Sequence, residues 1–161
     1  MAQRSDELLK ALARERVEFV VVGGVAANLY GSSYATRDLD IVAPLTVENC
    51  GRLMAALHSH SPRFYQAHGK PLVVRPPQEL AHFKNLYLLT DIGIVDVLGS
   101  LPPVGSYETV ASRAVPIAIF GVDCRIVSLD DLIDVKHHVG RPKDKAVEVE
   151  LRAIRERLKA T

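Results

Sequence analysis

The 161-residue sequence has only two cysteines, Cys50 and Cys124, far apart and in no CxxC pair. That argues against a zinc ribbon or a disulfide framework and fits free thiols in a reducing compartment. Long hydrophobic runs are missing too: none approaches the roughly 18 residues that a bilayer span requires. The N-terminal stretch MAQRSDELLKALARER is charged and amphipathic and holds no apolar signal core, so a cytoplasmic, soluble protein is expected. There is no excess of one charge. Lys+Arg is 20 and Asp+Glu 19, a net of +1, so net charge alone points to no polyanionic partner. Internal repeats and low-complexity segments are absent. So are a P-loop GxxxxGK[ST] and a dinucleotide-binding GxGxxG, the latter because Val25 stands where a glycine is needed.

What is present is an ordinary globular composition, with 48% apolar and 24% charged residues. The length suits one domain over 1–161, with a core over about 17–127 and a helical C-terminal part over about 128–161. Ser5-Asp6-Glu7 opens a helix whose stripe is Leu8, Leu9, Leu12 and Ala13. Phe19 to Val22 reads as a buried strand running into a tight turn at Gly23-Gly24. A short helix over Val25–Tyr30, ended by Gly31, should follow. Asp38 to Ala43 is a second strand, stopped by Pro44. Thr46 caps a helix with Val47, Leu53, Met54 and Leu57 on its apolar side. Residues 58–83 read as short strands and loops. Hairpins are expected over 86–98, turning near Asp91-Ile92-Gly93, and over 115–127, turning at Gly121. Ser128 opens a helix with Leu129, Leu132 and Ile133 inward. A last helix follows Pro142 with Val147, Leu151, Ile154 and Leu158 in register. The class is α+β: a small mixed sheet flanked by helices, with the C-terminal helices packed on the core.

The chemistry-bearing residues begin with Arg37-Asp38-Leu39-Asp40-Ile41. Strand alternation puts Asp38 and Asp40 on one face and Leu39 and Ile41 on the other. Two adjacent carboxylates repel, so one is held protonated or a cation lies between them unless both face bulk water. Asp96, within Ile94-Val95-Asp96-Val97-Leu98, interrupts an apolar strand and needs a cation or strong donors to offset its desolvation. An all-oxygen set of three carboxylates suits a hard cation such as Mg²⁺. A polar edge strand, with Asp96 bonded to nearby backbone, is the plainer alternative. Gly23-Gly24 at a strand-to-helix turn lets backbone N–H groups approach an anion, and Ser32, Ser33 and Arg37 can add donors to a phosphate. A simple tight turn is the alternative there.

Charge is also unevenly spread. Asn85 to Val135 holds seven acids against two arginines, whereas Lys136 to Thr161 holds eight Lys/Arg against four acids. An acidic centre followed by a basic tail suits a metal site beside a phosphate site, though a solvated helix would look the same. The adjacent His137 and His138 diverge by about 100° on a helix, which argues against a shared transition metal.

In this order these pieces resemble the DNA polymerase β-like nucleotidyltransferase superfamily: a Gly-Gly turn, a short helix, an acid-x-acid strand, and a third acid on a later strand. Thirteen residues, Val25 to Arg37, separate Gly23-Gly24 from Asp38-Leu39-Asp40, and Asp96 is the third acid. The stretches Thr90 to Asp96 and Ser128 to Asp144 are similar to small stand-alone bacterial members and, more distantly, to AbiEii-type toxins. The resemblance implies transfer of a nucleoside monophosphate from an NTP to an acceptor hydroxyl, with release of pyrophosphate. It also implies two Mg²⁺ ions, or Mn²⁺, held by Asp38, Asp40 and Asp96. Gly23, Gly24 and Ser32 or Ser33 would meet the outer phosphates. Lys136, Arg141 and Lys143 would be further phosphate ligands, with Asp144 orienting one of them. The acceptor is left open among a small molecule, a protein and an RNA. A homo-oligomer or an antitoxin partner is compatible with the resemblance. The alternatives to a housekeeping transferase are a toxin using the same chemistry and a nucleotide-binding module without catalysis.

Overall fold

A computed structural model describes residues 2–65, 72–73 and 75–161. Residues 66–71 and 74 of the stretch expected to hold short strands and loops lie outside the described residues. The chain opens with α1 (Ser5–Arg14), whose buried face is Leu8, Leu9, Ala11 and Leu12; Ala11 takes the core place expected for Ala13. Strand β1 (Val20–Val22) runs directly into α2 (Gly23–Tyr30), so Gly23 and Gly24 form the helix's first turn rather than a separate one. Gly31 ends α2 in the left-handed conformation, φ 117°. Next come β2 (Asp38–Val42) and α3 (Val47–Leu57), the latter capped by Thr46, whose hydroxyl accepts from the Asn49 N–H at 3.1 Å. Val47, expected on the apolar side, is 45% exposed. As the first residue after the cap it lies off the stripe that Cys50, Leu53 and Leu57 bury.

The middle of the chain supplies β3 (Arg63–Phe64), β4 (Leu72–Val73) and α4 (Pro77–Leu80). The expected hairpins follow. The first is β5 (Asn85–Thr90) with β6 (Gly93–Leu98), and the second is β9 (Val115–Ile119) with β10 (Val122–Ile126). Between them lie β7 (Ser100–Leu101), β8 (Gly105–Ser106) and α5 (Tyr107–Arg113), which the sequence reading did not anticipate, although Ser106 caps α5 and Glu108 lies in its first turn. Helices α6 (Leu129–Val139) and α7 (Pro142–Lys159) close the chain, joined through left-handed Gly140. Val147, Leu151 and Ile154 of α7 are buried, but Leu158 is 58% exposed. At 1.5 Å per residue α7 outruns α6 by about 10 Å, and its last turn has nothing to pack on.

The sheet is larger than the pattern suggests. Eight strands run in the order β4-β3-β5-β6-β2-β1-β10-β9, with β1/β10 and β2/β6 parallel and every other pair antiparallel. Leu39, Ile41, Leu86, Leu88, Val95 and Val97 are fully buried on one face, in a core shared with α1 and α3. The alternate residues of β2 and β6 face the other way, and there the carboxylates lie. No helix among the described residues is long and apolar enough to cross a membrane.

Candidate active site

Parallel pairing of β2 with β6 sets Asp40 directly beside Asp96 and Asp38 beside Ile94. Residues i and i+2 of one strand and the register partner on the next strand thus share one patch, and a carboxylate oxygen from each of Asp38, Asp40 and Asp96 lies within 4.8 Å of the others. The three are the only such metal-ligating cluster among the described residues. Thr36 Oγ1 donates to Asp38 Oδ1 at 3.2 Å and holds that carboxylate. Sequence reading passed over Thr36, although its place two residues before Asp38 puts it on the same side of an extended chain.

The glycines bring the start of α2 against this patch. Gly23 has φ 62°, and a Cβ on it would overlap Asp40 Oδ2 and lie 2.8 Å from Asp40 Cβ. A Cβ on Gly24 would be 2.6 Å from Thr36 Oγ1. Both residues are glycine because the helix N-terminus has to touch the carboxylate strand. The positive end of α2 therefore faces the acidic cluster.

A cavity of about 390 Å³ opens beside the patch, lined by Gly24, Ser32, Asp38 and Asp40 together with Lys136, Arg141 and Lys143. Buried Asp144 organises two of those basic residues: Lys136 Nζ donates to its Oδ1 at 3.3 Å and Arg141 Nε to its Oδ2 at 2.7 Å. Burial works against the Asp144 charge. The Arg141 hydrogen bond and the Lys136 charge outweigh it and hold the carboxyl below its ordinary range. Lys143 Nζ donates to the Ala35 carbonyl at 3.3 Å and closes the rim. The structure thus brings Lys136, Arg141, Lys143 and the acidic patch to one cavity.

Other candidate residues are placed differently. Ser32 lines the cavity, but its hydroxyl donates to Glu150 Oε1 at 3.0 Å. The Ser33 hydroxyl donates to Glu150 Oε2 at 2.8 Å, and its N–H faces the same carboxylate. The donors of the serine loop thus hold an internal anion from α7. No local signal could reveal that partner, since Glu150 lies 117 residues beyond Ser33. Arg37 is exposed and stands outside the cavity lining. His137 pairs with Glu148 at 3.2 Å, not with His138.

Packing these carboxylates together shifts the titration of Asp40 and Asp96. Burial, then the Asp38 charge, pushes Asp40 up to about 6, against the pull of an Asp96 hydrogen bond, Lys136 and Arg141. Burial and the charges of Asp40 and Asp38 push Asp96 up to about 8. Both lie above the unfolded value of about 4, so between about pH 4 and pH 8 the folded chain binds more protons than the unfolded one. This contribution is therefore fully present below about pH 4 and is lost as pH rises through about 8. The all-oxygen donors fit a hard cation, which would bind the ionised set and expel those protons. Thermal unfolding at about pH 5 and about pH 9, with and without saturating Mg²⁺, should show a stabilisation by Mg²⁺ that is small at the lower pH and larger at the higher. The difference should disappear in Asp96→Asn. Equal stabilisation at both pH values would reject the triad as the cation site.

No family model matches this sequence, and no curated protein does. Solved structures do match its fold. A Thermotoga maritima protein assigned as a nucleotidyltransferase aligns over 96% of this chain and 89% of its own, with TM-score 0.54 and 16% identity. The ANT(2″)-Ia protein, solved in complex with adenylyl-2″-tobramycin, aligns over 94% of this chain and 95% of its own, with TM-score 0.55 and 16% identity. An antigenic nucleotidyltransferase-like protein from Paracoccidioides brasiliensis aligns over 94% and 77%, with TM-score 0.50 and 17% identity. The identity is far too low to carry side-chain detail, and what the chain shares with these solved nucleotidyltransferases is their fold.

Proposed function

We propose that the protein is a metal-dependent nucleotidyltransferase that moves a nucleoside monophosphate from an NTP to an acceptor hydroxyl and releases pyrophosphate. The observation that carries this reading is the in-register convergence of Asp38, Asp40 and Asp96 beside a cavity that Lys136, Arg141 and Lys143 also line. The likeness to ANT(2″)-Ia, solved with an adenylylated product, supports the same reaction class.

Asp38, Asp40 and Asp96 would hold two Mg²⁺ ions, or Mn²⁺ in their place. Such ions neutralise phosphate charge and lower the pKa of an attacking hydroxyl. The protein's own side chains do the rest. Lys136, Arg141 and Lys143 receive the triphosphate and offset the charge that grows on the departing pyrophosphate. The N-terminus of α2, brought in by Gly23 and Gly24, adds its N–H groups on the same side. The acceptor oxygen forms a bond to the α-phosphorus while the bond to the β-phosphate oxygen breaks. The hydroxyl proton goes to an Asp96 carboxylate oxygen, on the strand paired in register with Asp40. Most of the catalysis is positioning and charge neutralisation.

The test is a transfer assay with each α-³²P-labelled NTP, Mg²⁺ and cell extract, the products separated into RNA, protein and small molecules. Label should appear in one fraction only when both the protein and Mg²⁺ are present. Mg²⁺-dependent NTP binding with no label in any fraction would replace this reading with a nucleotide-binding module.

A further inference from the structure

Asp96 has a second neighbour across the sheet, on the side away from the basic cavity. Tyr87 of β5 is its register partner, and paired residues of adjacent strands project from the same face. The register of β3 with β5 brings Tyr65 beside Tyr87, and the Tyr65 N–H donates to the Tyr87 carbonyl at 2.8 Å. One row across the open face therefore reads Tyr65, Tyr87, Asp96, Asp40, with neighbouring strands about 4.8 Å apart. The carboxylates lie toward the donor cavity, and two aromatic rings lie on the other side of Asp96.

These rings are half-exposed, Tyr65 at 43% and Tyr87 at 45%, and they line a cavity of about 580 Å³. Its lining is mostly aromatic carbon, including Phe64 stacked on Phe83 with ring centroids 5.3 Å apart. Tyr87 is held in place: Asn85 Nδ2 donates to its hydroxyl at 3.2 Å, while Asn85 Oδ1 accepts from the Gly99 N–H at 3.2 Å. A ring anchored this way costs little further ordering when a ligand stacks on it. The charged groups are few. Glu79, the one acid among the described lining residues, is paired with Arg75 at 3.2 Å, and His82 also lines the cavity. Two half-exposed rings side by side favour an acceptor that presents a flat π-face. An acceptor with a planar heterocycle attached to its hydroxyl-bearing ring fits the row: ring on tyrosine, hydroxyl at Asp96.

We propose that the acceptor is a nucleoside-terminated molecule whose base stacks on Tyr87 and Tyr65 while its ribose hydroxyl reaches Asp96. This assignment rests on the transferase reading above. The same chemistry is offered by a free nucleotide and by a single-stranded RNA end. The experiment titrates the full chain, without NTP, with AMP and with a 5′-fluorescein-labelled short oligoadenylate. Both probes are followed for wild type, Tyr87→Ala, Tyr65→Ala and Tyr87→Phe, each checked for a wild-type circular dichroism spectrum. The alanine variants should weaken binding about tenfold or more, and Tyr87→Phe should hold it near wild type, because the ring face and not the hydroxyl does the stacking. Much tighter binding of the oligomer than of AMP assigns an RNA end, and equal binding assigns a free nucleotide. No binding of either probe, alanine variants that bind like wild type, or a Tyr87→Phe as weak as Tyr87→Ala would each overturn the proposal. The two readings fail separately. Transfer of label without tyrosine-dependent binding sinks the acceptor assignment alone, whereas tyrosine-dependent binding without any transfer sinks the transferase reading, and the acceptor role with it, and leaves a nucleoside-binding surface.

Discussion

Asp40→Asn should abolish metal-dependent NTP binding and lower transfer by about 10³-fold or more, the scale set by removing one preorganised electrostatic element from a closed site. Asp40 is the middle of the patch. It is the register partner of Asp96, lies two residues from Asp38, touches Gly23 and lines the donor cavity. Asparagine keeps the shape and a hydrogen-bonding group but removes the charge a cation needs. The fold should not suffer. Burial and the Asp38 charge disfavour the Asp40 carboxylate, so losing it relieves repulsion in the metal-free protein. The expected pair of results is a melting temperature at or above wild type without Mg²⁺ and the loss of the Mg²⁺-dependent increase. Sites built for chemistry commonly trade stability in this direction. A variant that binds Mg²⁺-NTP with wild-type affinity would remove Asp40 from the site.

Gly23→Ala should damage both stability and activity, for a steric reason. Its φ of 62° costs an alanine about 1–2 kcal/mol. The added Cβ also overlaps Asp40 Oδ2 and crowds the Asp40 Cβ and Cγ at 2.8 Å. Either α2 retreats from β2 or the Asp40 carboxylate turns away from Asp38 and Asp96. The backbone term alone should lower the melting temperature by about 2–8 °C. The displaced carboxylate should reduce NTP binding and transfer at least about 100-fold. Thermal unfolding and an NTP titration on the same sample check this together. Gly121, in the β9–β10 turn with φ 76° and nothing within reach of a Cβ, is the control. Its alanine variant should lose stability alone. Equal loss of NTP binding in both variants would mean that the close approach to Asp40 does not matter.

Much of this was legible along the chain because it depends on neighbours in sequence. Alternation alone placed Asp38 and Asp40 opposite Leu39 and Ile41, and Asp96 with Ile94 and Leu98, as the burial of β2 and β6 repeats. Thr46 and Ser128 cap their helices through their own hydroxyls. The run from Lys136 to Asp144 could be read as a unit because a tight helix–helix joint folds it back on itself, so Asp144 meets both Lys136 and Arg141 within eight residues. Where local pattern meets the end of its packing partner it misleads. Leu158 keeps the helical period and still faces solvent.

Only the tertiary structure decided which distant residues became neighbours. Period-2 alternation says which face Asp96 takes but not which strand lies beside it. That follows from the sheet order, in which β6 pairs in parallel with β2 and antiparallel with β5. The same order places Tyr87 and Tyr65 on the far side of Asp96. Packing of α7 against α2 hands the donors of Ser32 and Ser33 to Glu150. Composition, caps and alternation determine what each segment can be, because they act over one or two turns or a single strand. Strand order and helix packing are set by burying all the apolar faces at once, and that global condition turned three separated aspartates into a site.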